Sequence, residues 1–198
     1  MIDPHDWNAV RRWRKETRER LIAERMAVSA AQRRAHATAA AAALRSLLAG
    51  TAAETIGFYW PFKGEFDPRP LVHELHAAGR RLALPVVVAK ATPLIFRPWW
   101  PGAPMTEGVW NIPIPAGGEP VQPDLLLVPM VGFDGRQYRL GYGGGFYDRT
   151  LAAAPKRPMT IGIAHAACAL ETLYPQPHDI PMDRVVTEDG ALPHRDSA

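Results

Sequence analysis

The chain has 198 residues, 47% of them hydrophobic and 22% charged, with a formal net charge of +3. That length suits one sizeable core and is too short for two large domains, so residues 1–198 are expected to form a single domain. The single cysteine, Cys168, excludes an internal disulfide and a thiolate zinc cluster, and with no membrane-length apolar run and a charged, non-signal N-terminus the expectation is a soluble cytoplasmic protein without a membrane partner.

The first predicted element is a basic helix over about residues 6–28, with Trp13, Leu21 and Met26 at helical spacing and Arg11, Arg12, Arg14, Lys15, Arg18, Arg20 and Arg25 crowding it. Glu16, Glu19 and Glu24 balance much of that charge. The plain reading is a solvated face; the sharper one sends one or two of the cations to a polyphosphate. Ser29 and Gln32 have the spacing of a capping box, which opens a second helix through the alanine run to about Leu48, and Gly50 ends it.

Thr55 to Trp60 has the β-branched and aromatic content of a buried strand, stopped by Pro61. Lys63 to Pro68 is then a loop on the strand's C-terminal edge, where open α/β sheets bind ligands, so Glu65 is a candidate contact beside its ordinary reading as an exposed loop carboxylate. A helix follows at Leu71 to Ala78, a strand at Arg81 to Val88 and a shorter strand at Leu94 to Arg97. The segment containing Trp99, Trp100 and Trp110 is dense in proline and is expected to be an extended, mostly rigid loop without regular pairing. Its tryptophans either pack on the sheet edge or, for Trp110, wall a flat heteroaromatic ligand. The unbroken apolar run Leu125 to Val128 predicts a fully buried strand.

That strand delivers the chain to its most informative stretch, Val131 to Arg149, and a helix is predicted from about Tyr147 to Ala153. Gly141, Gly143, Gly144 and Gly145 between strand and helix allow backbone N–H groups to approach an anion at a helix N-terminus. Arg139 and Arg149 add positive charge, and Asp148 adds a carboxylate able to hold Mg²⁺ beside a nucleotide. No Gly-Lys-Ser/Thr closes the stretch, so it is not a Walker loop, and Phe146 stands where a GxGxxG pattern needs its last glycine. A further strand is expected at Met159 to Ala164 and a last one at Val185 to Glu188; His178, Asp179 and Asp183 lack the spacing of a committed metal site, and only the final residues read as disordered.

Taken together, the basic helix, Gly64-Glu65-Phe66-Asp67, Trp110-Asn111-Ile112-Pro113, Gly132-Phe133-Asp134, Arg139 to Arg149 and the closing Asp183 to Glu188 resemble the 5-formyltetrahydrofolate cyclo-ligase family over nearly the full length. The resemblance implies a three-layer α/β/α sandwich, Rossmann-like, with a mainly parallel sheet. It implies an ATP-phosphate loop formed by Arg139, Leu140, Gly141, Tyr142, Gly143, Gly144, Gly145, Phe146 and Tyr147, with Arg139 and Tyr147 in the catalytic positions. Asp148 and Asp183 match magnesium-associated aspartates, Glu65 a glutamate on the reduced folate, and Trp110 a tryptophan of the folate pocket.

The implied reaction is ATP-dependent cyclisation of 5-formyltetrahydrofolate to 5,10-methenyltetrahydrofolate by a monomer, with ATP and Mg²⁺ required. The family's basic pair of lysine and arginine is matched nearest by Arg14 and Arg18, with Lys15 one place off. That change, together with Val86-Val87 where some members carry a tyrosine, keeps open a non-catalytic folate- and nucleotide-binding paralogue. Nucleic-acid binding ranks low, because aromatic residues are not interleaved with the arginines in a stacking pattern.

Overall fold

A computed structural model describes residues 2–193. In chain order they form α1 (Trp7–Ala27), α2 (Ala30–Ala49), β1 (Thr55–Gly57), α3 (Arg69–Ala77), β2 (Arg81–Val86), β3 (Ile95–Trp99), β4 (Met105–Glu107), β5 (Pro113–Pro115) and β6 (Leu125–Pro129). Then come β7 (Gly132–Asp134), β8 (Arg139–Leu140), α4 (Phe146–Ala153), β9 (Met159–Ile163), β10 (Ala169–Leu170), β11 (Arg184–Thr187) and β12 (Gly190–Ala191). The final residues expected to be disordered lie outside the described ones.

The two long helices are separated by local chemistry. The Asp6 carboxylate accepts the Asn8 and Ala9 N–H groups to start α1. Val28 is extended, and the capping box then restarts the helix: Ser29 Oγ accepts from the Gln32 N–H at 3.2 Å while Gln32 Oε1 accepts from the Ser29 N–H at 3.3 Å.

The main sheet has seven strands in the order β12-β11-β9-β6-β1-β2-β3. The five from β11 to β2 run parallel, and β12 and β3 flank them antiparallel. Alternation along β6 shows how the layers are assigned. Leu125 and Leu127 face a core built with Ala40, Leu44 and Leu48 of α2 and Leu71 and Val72 of α3. Leu126 and Val128 face the opposite core with Leu151 of α4, Met130 and Val185. The result is the expected three-layer α/β/α sandwich with a mostly parallel sheet. No helix among the described residues is long and apolar enough to cross a membrane.

Two regions differ from the sequence expectation. The proline- and tryptophan-rich segment contains a paired hairpin, β4 with β5. Its ladder bonds run from the Gly108 N–H to the Ile112 carbonyl and from the Ala116 N–H to the Pro104 carbonyl, so Pro113 and Pro115 occupy the alternate positions that need no donor toward β4. The stretch from 131 to 140 is also more regular than a loop. β7 and β8 pair as a hairpin, with β10 on the other side of β7, and form a small second sheet. Buried Asp134 organises it, its Oδ1 accepting from the Arg136 and Tyr138 N–H groups and its Oδ2 from the Leu173 N–H. Leu21 of α1 packs with Val131, Leu140 and Leu173 of this region, which carries the basic helix to the end of the main sheet where β6 delivers the glycine loop.

Candidate active site

A cavity of about 720 Å³ opens beyond the C-terminal ends of the parallel strands. Its walls come from α1 through Arg14 and Arg18, from the segment after β1 through Phe62 and Glu65, from Trp110, and from the glycine loop with the first turn of α4.

On the glycine side, Gly145 is the N-cap of α4 with φ 63° and Gly143 has φ 92°, left-handed conformations that other residues enter at a cost. The first turn of α4 has no side-chain cap, and its residues line the cavity. Arg18 Nε donates to the Gly141 carbonyl at 2.6 Å, and Arg149 to the Gly144 carbonyl. Phe146 packs its ring across Gly144, while the Leu140 side chain is buried in the small core below. Arg139 is 6% exposed, donates to the Ile180 carbonyl at 2.6 Å and stacks 5.9 Å over the Tyr147 ring. Its Nη2 lies 2.7 Å from Asp148 Oδ1 as an ion pair without hydrogen-bond alignment, which leaves a buried donor unused on the cavity wall. Burial, and then the neighbouring Arg14 charge, push the Arg18 guanidinium below its usual range. Crowded, partly desolvated cations of this kind favour an anion.

The expected basic pair is thus divided in its duties. Arg14 is tied to the 173–179 segment through the Leu173 and Tyr174 carbonyls and an ion pair with Asp179 at 2.5 Å. Arg18 is the member that reaches the glycine loop.

On the opposite wall, Glu65 is buried. Its Oε2 accepts from the Phe62 N–H at 2.9 Å and its Oε1 from the Tyr142 hydroxyl at 2.8 Å. That hydroxyl in turn accepts from Arg25 Nη2 at 2.6 Å, and Arg25 Nη2 stands 3.9 Å from Glu65 Oε1. Burial raises the Glu65 carboxyl to about 7, against the opposing pull of Arg25, Tyr142 and the Phe62 N–H. Burial, followed by the Glu65 charge, holds the phenols of Tyr142 and Tyr147 well above their ordinary range, so both are neutral hydroxyls at neutral pH. Trp110 is 54% exposed, with a left-handed backbone, and lies nearly parallel to Phe62 at 6.4 Å and tilted against Tyr142 at 6.1 Å. These rings form an aromatic wall beside Glu65.

Arg25 and Phe62 are absent from the sequence-level candidates. A usable signal existed for Arg25: Arg14, Arg18, Leu21 and Arg25 follow helical spacing and share one face of α1. Val87 also lines the cavity.

Asp183 is paired with Asp148 in the sequence reading. Asp148 Oδ1 accepts from the Ile180 N–H at 3.0 Å, three residues before Asp183, while Asp183 has protein partners of its own. Asp183 precedes β11 at the N-terminal edge of the sheet, where its Oδ2 accepts from the Thr160 N–H and hydroxyl, each at 2.8 Å, and its Oδ1 pairs with Arg157 at 3.0 Å. Asp148 does line the cavity.

A parallel sheet ending in a glycine loop, a helix N-terminus and a cation cluster, faced by a buried carboxylate and an aromatic wall, defines an α/β enzyme with its site in the crevice at the strand ends. The profile of the 5-formyltetrahydrofolate cyclo-ligase family matches residues 10–188, and the chain belongs to that family of enzymes. It is 37% identical over 142 residues to the 5-formyltetrahydrofolate cyclo-ligase of Escherichia coli K12, covering 68% of this chain and 78% of that one. The Mycolicibacterium smegmatis cyclo-ligase is 31% identical over 186 residues, 89% of this chain and 94% of that one. The solved 5,10-methenyltetrahydrofolate synthetase of Aquifex aeolicus superposes with a TM-score of 0.80 at 30% identity, covering 93% of this chain and 94% of that one.

Proposed function

We propose that this chain catalyses the ATP-dependent closure of 5-formyltetrahydrofolate to 5,10-methenyltetrahydrofolate, releasing ADP and phosphate. Family membership and the names of its relatives support the cyclo-ligase activity. The observation that carries the finer reading is the meeting, in one cavity, of an anion-seeking wall (Arg18, Arg139, Gly141 to Gly145) and a folate-suited wall (Glu65, Trp110, Tyr142).

A formyl group on nitrogen is a weak electrophile, and its oxygen is a poor leaving group. Both difficulties are removed if the formyl oxygen attacks the γ-phosphorus of ATP and the bond from that phosphorus to the ADP oxygen breaks. The neighbouring side-chain nitrogen then adds to the formyl carbon and gives up its proton. Breaking the carbon–oxygen bond releases phosphate and leaves the methenyl bridge. No protein nucleophile is needed; the chain's task is alignment and charge neutralisation.

In this reading the N–H groups from Gly141 to Gly145 hold the phosphates and Arg18 closes over them. Arg139, which lines the same cavity, adds positive charge toward the phosphates, with Tyr147 beneath its guanidinium. Arg14 serves indirectly, anchoring the 173–179 segment beside Arg18. Asp148 fits Mg²⁺, since magnesium beside a nucleotide needs only one or two protein carboxylates and takes its other ligands from phosphate and water; when bound there, it supplies charge neutralisation at the phosphate oxygens. Glu65, its carboxyl raised by burial to about 7, exchanges hydrogen bonds with the pterin or its formyl-bearing end, and Trp110 covers the apolar face.

The test is a mixture of protein, Mg-ATP and 5-formyltetrahydrofolate followed by the near-ultraviolet absorbance of the methenyl product. Product that forms only when ATP is present is expected. Product without ATP, or none with it, would overturn the reading.

A further inference from the structure

Among the described residues, one cluster of metal-ligating side chains lies apart from the cavity: His36 in α2, His165 just after β9 and Glu188 just after β11. Helix packing against the sheet brings together three residues that sequence spacing does not associate. One ligand atom from each lies within 4.8 Å of the other two.

The surroundings orient these atoms. His165 is 5% exposed, and its Nε2 stands 3.1 Å from the Gly64 carbonyl oxygen. A carbonyl can only accept, so Nε2 carries the proton and the Nδ1 lone pair is left pointing away from Gly64. That nitrogen stands 3.3 Å from His36 Nδ1. Glu188 is fixed in the same manner: its Oε2 accepts from the Ala166 N–H at 2.9 Å, which turns Oε1 toward His36 Nδ1 at 3.5 Å. Backbone partners of this kind around a histidine and a carboxylate are the usual outer support of a metal site.

The spacing also suits a cation. Two imidazole nitrogens 3.3 Å apart, each at the ordinary zinc distance of about 2.0–2.1 Å, subtend roughly 104–111° at a shared ion, which is the tetrahedral range. Two imidazoles and one carboxylate select a borderline-soft divalent cation over magnesium or calcium.

We propose that His36, His165 and Glu188 form a binding site for Zn²⁺ or a divalent cation of similar softness, with water completing a tetrahedral shell. The site clamps α2 to the ends of β9 and β11. Through the His165 contact with Gly64 it also adjoins the loop that carries Glu65. It is independent of the nucleotide and folate reading above. The competing occupant is a proton shared between the two imidazoles.

The two can be separated with untagged, chelator-treated full-length protein titrated with Zn²⁺ by calorimetry in excess Mg²⁺, alongside His36→Ala and Glu188→Gln. Both of those side chains are partly exposed, so metal-free folding should match the parent by circular dichroism and Tm. One equivalent bound by the parent is expected, with Kd raised in each variant beyond the roughly 10- to 100-fold that loss of an outer partner costs. Zn²⁺ should raise the Tm of the parent and of neither variant. Absence of saturable binding by the parent, or parental affinity in either variant, would overturn the assignment and leave the shared proton as the occupant.

Discussion

The Tyr142 hydroxyl stands between Glu65 and Arg25, donating to the carboxylate at 2.8 Å and accepting from the guanidinium at 2.6 Å. The three residues come from the glycine loop, the segment after β1 and the basic helix, so one hydroxyl joins the two walls of the cavity to α1. The arrangement holds a carboxyl in a buried place while only partly offsetting the cost of its charge.

A pH dependence of stability follows. The Glu65 carboxyl has an ordinary value of 4.5 and is raised to about 7 in the folded protein, so between those values the folded state keeps a proton that the unfolded state has released. Stability from this group is full below about pH 4.5, declines as pH rises and is gone above about 7, a change on the order of 3 kcal/mol. Glu65→Gln lacks this dependence. Thermal melts of both proteins across that window should show the parent losing roughly 6–12 °C relative to the variant. A constant difference in Tm would mean that Glu65 titrates at its ordinary value.

Arg139→Ala should raise the KM for ATP roughly thirtyfold, the equivalent of losing a charge-assisted contact of about 2 kcal/mol. Arg139→Lys should fall between the two, because an ammonium keeps the charge and loses the fork shared between Ile180 and Asp148. Steady-state kinetics with ATP varied are the check, and a parental KM in the alanine variant would remove the guanidinium from the phosphates.

The two aspartates should behave differently. Asp148→Asn is expected to raise the Mg²⁺ concentration for half-maximal activity on the order of tenfold, through loss of a carboxylate ligand. Asp183→Ala should leave that requirement unchanged and cost about 1–3 kcal/mol of stability, since the buried Thr160 N–H loses its acceptor. Magnesium titrations and urea unfolding of both variants decide the matter; equal shifts in magnesium dependence would assign both aspartates to the magnesium site.

Trp110→Ala should raise the KM for the folate roughly threefold to tenfold, an aromatic contact of about 0.5–1.5 kcal/mol, with the KM for ATP unchanged. Because the ring is half exposed, Tm should barely move. A parallel rise in both KM values would instead assign Trp110 to the shape of the whole cavity.

Much of the fold is legible in the chain because it rests on neighbours in sequence. The Ser29–Gln32 capping box separates α1 from α2, the run Leu125 to Val128 forms a strand buried on both faces, and the glycines before Phe146 open α4. The hairpin of β4 and β5 is less legible, since only the register shows that Pro113 and Pro115 sit where no donor is needed.

By itself, then, the sequence determines the order of the main helices and of the long strands of the central sheet, and a glycine loop flanked by cations ahead of a helix. These depend on periodicity, capping and backbone freedom, which act over a few residues. Which arginine does what is a different matter. Arg14 ties down a distant segment, Arg18 touches the glycine loop and Arg25 supports Glu65, although all three lie on one face of one helix. The bonding of Asp183 to Thr160, the partnership of Tyr142 with Glu65, and the meeting of His36, His165 and Glu188 are likewise tertiary. Burial and hydrogen-bond partners set the charge and reach of a side chain, and those are decided only when segments far apart in the chain are packed against one another.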